Sequence, residues 1–97
     1  MKVERHPRFQ EFFAEIKDIV AKAKLLASIT RLAAGNPGKA KSVGDGVWEM
    51  KIDYGPGWRI YYTQVGNGIM LLLTGGTKNG QQQEIEAAKQ LAREIRR

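Results

Sequence analysis

From Pro7 to Ala34 the chain has no interior glycine or proline, and beyond Gly46 its apolar residues change period. That change constrains the fold more than any other feature. In the first stretch Phe9, Phe12, Phe13 and Ile16 recur at helical spacing, as do Leu25, Leu26, Ile29, Leu32 and Ala33. One unbroken helix of this length would run ~42 Å, against roughly 30–35 Å across a compact domain of this size. The spacing therefore predicts two helices broken near Lys17 to Ile19, forming a helical hairpin. Asp18 is the expected N-cap of the second, and Gly35 and Pro37 end it. A short strand over residues 2–5, ended by Pro7, is expected before them.

The segment "GNPGKAKSVGDG" (35–46) reads as a loop carrying Lys39 and Lys41. The period then becomes two. Trp48, Met50 and Ile52 point one way, and Glu49, Lys51 and Asp53 the other. "YGPG" turns the chain into a strand over 58–65, with Trp58, Ile60 and Tyr62 on one face and Arg59, Tyr61 and Thr63 on the other. "VGNG" makes a second hairpin. "IMLLLT" (69–74) does not alternate, which predicts a strand buried on both faces at the sheet centre. Asn79 and Gln82 suggest a capping box for a last helix with an apolar stripe of Ile85, Ala88, Leu91, Ala92 and Ile95. Arg93, Arg96 and Arg97 suit the dipole at its C-terminal end. The expected fold is α+β in one domain over residues 1–97: an N-terminal helical hairpin, a small antiparallel β-sheet and a C-terminal helix.

Composition narrows the chemistry. Hydrophobic residues make up 42% of the 97, enough for one modest core. The formal charge of +6 favours a polyanionic partner, nucleic acid or an acidic protein, over a merely soluble basic domain. There is no cysteine, which removes disulfides, thiolate metal sites and cysteine nucleophiles. His6 is the one histidine and cannot make a multi-histidine metal site, so no metal or cofactor is expected. "MKVERHPRF" lacks the apolar run of a signal peptide, and "IMLLL" is too short to cross a membrane; the expectation is an intracellular, cytoplasmic, soluble protein.

If both strands hold, Glu49, Lys51, Asp53, Arg59 and Tyr61 share one open polar sheet face, with Lys78 on the loop entering the last helix. Cations beside aromatic rings suit single-stranded RNA, and Lys39 and Lys41 add to that charge. RNA can be cut without a metal when the 2′-OH attacks the adjacent phosphate. The protein must then take a proton, stabilise the charged phosphorane and protonate the leaving oxygen. Arg59 suits the middle task because its guanidinium is always charged and matches two phosphate oxygens. Lys51 and Lys78 can assist, Tyr61 can orient or donate a proton, and Glu49 and Asp53 are the carboxylate candidates for base. Each has a plainer alternative. Arg59 can pair with Asp53 or Glu49 across the hairpin, Lys51 can be a solvated strand lysine, and Lys78 can merely flank a cap. Tyr61, Tyr62, Trp48 and Trp58 can be packing residues, and His6 structural.

"EMKIDYGPGWRIYY" (49–62) and "LLLTGGTK" (71–78), between a helical hairpin and a final helix, closely resemble the RelE/ParE toxin superfamily, nearest its HigB-like branch. The resemblance spans essentially the whole chain. It implies a bacterial type II toxin that cuts mRNA on the ribosome without a metal and is held inactive by a cognate antitoxin. That antitoxin would be a DNA-binding protein of helix-turn-helix type, acidic in part. Arg59 then matches the arginine on the scissile phosphate and Lys78 the basic position after the last strand, with Lys51 close to a basic position before the turn. The chain departs from the pattern in "GQQQEIEAA", which has no tyrosine or histidine, and at Thr77, where the branch carries an acid. These departures leave the acid and base unassigned. They also leave open a ParE-like, non-cleaving toxin that binds DNA gyrase, or an inactive antitoxin-binding relative.

Overall fold

A computed structural model describes residues 1–96; Arg97, expected at the end of the last helix, lies outside the described residues. The elements in chain order are β1 (Lys2–Arg5), α1 (Pro7–Glu15), α2 (Ile19–Ala33), β2 (Ala40–Gly44), β3 (Val47–Ile52), β4 (Trp58–Gly66), β5 (Ile69–Gly76) and α3 (Gln81–Ile95). The strands form one five-stranded sheet in the order β1-β5-β4-β3-β2. β1 runs parallel to β5; the other pairs are antiparallel.

The α+β class stands, but the expected arrangement within it is corrected in three ways. First, α1 and α2 are not a hairpin packed on itself. α1 lies along β5, and α2 crosses β1, β3 and β4. The break falls where expected: Ile16 leaves helical geometry, and the Asp18 carboxylate accepts the Val20 and Ala21 N–H groups at 2.9 and 3.1 Å. The chain turns there so that both apolar stripes face the sheet and leave water. Second, the expected loop contains β2, paired to β3 with a register shift between Ser42 and Gly44. Third, β1 docks on β5, so the sheet is mixed rather than small and antiparallel. The last helix also starts differently. Gly80, at φ 90°, is its N-cap, and no side chain caps it.

The sheet has a core on each face. Under α1 and α2 lie Phe9, Leu25, Leu32, Met50, Ile60 and Leu72. Under α3 lie Val47, Tyr61, Leu73, Ala88 and Ala92. Leu72 and Leu73 therefore point into opposite cores, as the unbroken apolar run of β5 implied, although the central strand is β4. Gly75 lets Phe12 close on the sheet: a Cβ there would come within 2.3 Å of that ring and 2.7 Å of the Arg59 carbonyl oxygen. The molecule measures 35 × 28 × 22 Å, shorter than an unbroken helix over Pro7–Ala34 would need. No helix among the described residues is long and apolar enough to cross a membrane.

Candidate phosphate-binding groove

The alternation of β3 and β4 puts Glu49, Lys51, Arg59 and Tyr61 on one face, with Lys51 opposite Arg59 and Glu49 opposite Tyr61. That face is not open, contrary to expectation. α3 covers it, because the same face carries Val47, Tyr61 and Leu73, which need an apolar partner. Arg59 is left 6% exposed and Glu49 3%. What remains accessible is the margin beyond the start of α3.

Arg59 is tightly held there. Its Nη1 donates to the Gly57 carbonyl at 2.7 Å, and its Nε lies 3.7 Å from Glu49 Oε2. Of the two cross-hairpin partners considered, the structure selects Glu49. The Nε–H is buried and has no hydrogen-bond acceptor. Glu49 is the hub of the cluster. Its Oε2 also accepts from the Tyr61 hydroxyl at 3.0 Å and from Gln81 Nε2 at 2.8 Å, while Lys41 stands 3.7 Å from Oε1. Tyr61 is wholly buried. Burial, and next its bond to Glu49, pushes its pKa well above the usual phenol range. It stays protonated at neutral pH and does not reach the surface as an acid or orienting group.

The lysines form the rim. Lys51, Arg59 and Lys78 meet around Asp53, Pro56 and Gly57 in a groove of about 470 Å³. The GPG turn brings Lys78 in, since the Lys78 N–H donates to the Pro56 carbonyl at 3.3 Å. Gly57 at φ +81° separates the two cations; a Cβ on it would lie 3.1 Å from Arg59 Nη1 and 3.4 Å from Lys78 Cβ. A second groove of about 280 Å³ is lined by Lys39, Lys41, Glu49, Lys51 and Arg59, and shares Lys51 and Arg59 with the first. Lys39 hydrogen-bonds Asp53, and Lys51 lies 3.6 Å from it. The Lys39 bond is the main reason the Asp53 carboxyl is held below its ordinary pKa. Five cations thus face two carboxylates along one continuous margin, a field suited to phosphates.

The residues read from the sequence as a site divide accordingly. Lys39, Lys41, Lys51, Arg59 and Lys78 come together, while Tyr61 sits beneath them. Gln81 was not foreseen; one glutamine in a polar first turn carries no signal that it reaches a buried carboxylate. His6 is structural: its Nδ1 accepts the Arg8 N–H and caps α1. Trp58 packs against Phe12 with ring centroids 6.0 Å apart, and Trp48 lies at the exposed rim. Among the described residues, no three His, Asp or Glu side chains gather where they could share a metal ion.

The family model described as "Phage derived protein Gp49-like (DUF891)" matches residues 11–96, which includes every residue of the groove. The chain belongs to the Gp49-like family. A Haemophilus influenzae (strain ATCC 51907 / DSM 11121 / KW20 / Rd) protein, described as "Uncharacterized protein", is 42% identical over 87 residues, covering 90% of this chain and 88% of its own. The resemblance to the RelE/ParE superfamily and its HigB-like branch is thereby corrected. The stretches that carried it, 49–62 and 71–78, lie inside the Gp49-like match. In this Gp49-like chain they build the β3–β4 hairpin and the β5 strand with its exit loop.

Proposed function

We propose that this protein is the toxin of a bacterial toxin–antitoxin pair and cuts mRNA on the ribosome without a metal, at a phosphate seated in the groove between Lys51, Arg59 and Lys78. The observation that carries the reading is a guanidinium fixed by Gly57 and Glu49 at the floor of a cationic groove. Membership of a family whose members are often toxins of toxin–antitoxin pairs supports the first part of the reading. In this reading the ribose 2′-OH attacks phosphorus, the bond to the 5′ oxygen breaks, and the products are a 2′,3′-cyclic phosphate and a 5′-OH. Arg59 and Lys51 bear on the charge that builds on the phosphorane oxygens, where preorganised cations act most strongly. Lys78, exposed on the rim, faces the leaving oxygen, and Lys39 and Lys41 hold the neighbouring phosphates.

A second reading rests on the same Glu49–Arg59 pair. A guanidinium this buried and already partnered also suits a toxin that binds a protein target and cuts nothing. Mapping new mRNA 5′ ends soon after induction, without an antitoxin, separates the two. Cuts within translated codons that vanish in Arg59→Ala and fall sharply in Lys78→Ala are the expected result. Growth arrest with no new ends would replace cleavage by protein binding.

A further inference from the structure

α2 is apolar on two sides. Its inner side buries Ala21, Leu25, Ile29 and Leu32 against the sheet. Its outer side carries Ile19, Ala23, Leu26 and Thr30 at spacings that align them along one line of the helix. Ile19 is 82% exposed, Val20 beside it 50% and Leu26 42%. A surface helix ordinarily turns a charged face outward, so an apolar outer ridge marks a missing partner.

The borders of the ridge say what kind. Lys22 flanks one side, and Lys24 and Arg31 the other. All three are held in place without an acid. Lys22 Nζ sits 5.2 Å from the Phe13 ring centroid, Lys24 Nζ 5.4 Å from that of Tyr54, and Arg31 Nη2 donates to Ser28 Oγ at 3.0 Å. Among the described residues none of the three has a carboxylate within ion-pairing distance, whereas Lys39, Lys41, Lys51 and Arg59 all do. Lys24 and Arg31 also edge a concavity of about 370 Å³ between α2 and the loop at Pro37, whose far wall is Lys39 and Lys51.

We propose that the outer face of α2 is a docking surface for an acidic amphipathic helix of another protein. Its apolar stripe would lie on Ile19, Ala23 and Leu26, and its flanking carboxylates would meet Lys22, Lys24 and Arg31. Charge complementarity decides the occupant. A second copy packed ridge to ridge would set lysine against lysine. RNA would find no ring on the ridge to stack on. A bilayer would meet a ridge without aromatic residues beside a concavity it cannot fill. The surface adjoins the phosphate groove, but none of the ridge or border residues of α2 lines that groove, so the proposal stands whether or not the protein cuts RNA.

The test uses the full chain and two synthetic helical peptides with the same leucine–alanine face, one bordered by glutamates and one by lysines. Binding is read by fluorescence anisotropy. The glutamate peptide is expected to bind saturably and the lysine peptide not. Leu26→Lys and Ile19→Lys should each weaken binding about tenfold or more. Both side chains point to solvent, so the variants should melt as the parent does. Exchanging Lys22, Lys24 and Arg31 for glutamate should transfer the preference to the lysine peptide. Lys78→Ala, in the phosphate groove and away from that concavity, should leave the preference intact. No binding of the glutamate peptide, or binding indifferent to Leu26→Lys, would overturn the proposal. So would a chain dimer that Leu26→Lys dissolves, or binding to vesicles containing phosphatidylglycerol but to neither peptide.

Discussion

Glu49 connects stability to the groove. It is buried, and it accepts from Tyr61 and Gln81 while facing Arg59. Truncating one partner of a buried ion pair strands the other, at a cost of about 3–5 kcal/mol. Glu49→Ala should therefore lower the urea-unfolding free energy by about that amount, whereas Tyr61→Phe, which removes one hydrogen bond, should cost about 1 kcal/mol. Equal losses in the two variants would remove Glu49 from the centre of the cluster. Tyr61 adds a pH signature. Its folded pKa is raised above the ordinary 10.0, so the stabilisation it brings is complete below that value and fades as pH rises through it toward the folded pKa. The wild type should lose stability above about pH 10 more steeply than Tyr61→Phe, by denaturant melts across that range. Only part of this was legible in the sequence. Period-two alternation placed Lys51, Arg59 and Tyr61 together, and the GPG turn explained how Arg59 is aimed. Their burial was not legible, because it depends on α3 docking over Val47 and Leu73, a tertiary event that no local pattern encodes.

At the scale of elements, strong local signals survived and weak ones did not. The Asp18 cap and the turns at GPG and VGNG are each dictated by a few adjacent residues, and each formed as read. β2 was missed because "AKSVG" has one buried-type side chain, Val43, and its pairing with β3 supplies the rest. The capping box at Asn79 failed because Gly80, free to take positive φ, starts α3 one residue later. Two predictions belong here. Gly75→Ala would drive a methyl into Phe12 and into the Arg59 carbonyl, and backbone cannot yield as a side chain can. It should destabilise by about 1–3 kcal/mol in urea melts, while an alanine at Gly68, where nothing lies within 4 Å but φ is +72°, should show backbone strain alone. The Asp18 carboxyl is held below its ordinary pKa, chiefly by the Ala21 N–H and then by the Tyr54 hydroxyl. Its contribution is full above the unfolded value of about 3.9 and is lost as pH falls through the folded one. The gap in melting temperature between wild type and Asp18→Ala should therefore narrow on acidification from pH 5; a constant gap would mean the carboxylate charge is not what stabilises α2.

Across the whole molecule the formal charge is +6, and its surplus is concentrated on two adjoining surfaces. One is the groove with Lys39, Lys41, Lys51, Arg59 and Lys78; the other is the border of α2 with Lys22, Lys24 and Arg31. They differ in a way that salt can read. The groove cations are partly neutralised by Glu49 and Asp53, and RNA held there would be bound chiefly through released counterions. The logarithm of single-strand affinity should then fall linearly with the logarithm of salt, by roughly 0.7 for each phosphate engaged. Lys78→Ala should make that slope shallower by about the same amount, without abolishing binding. The α2 ridge combines charge with apolar contact, and apolar contact persists in salt. A helix docked there should retain measurable affinity at salt concentrations that strip RNA from the groove. Titrating both probes over one salt series separates the surfaces. Parallel loss of RNA and peptide would mean that a single electrostatic patch binds both.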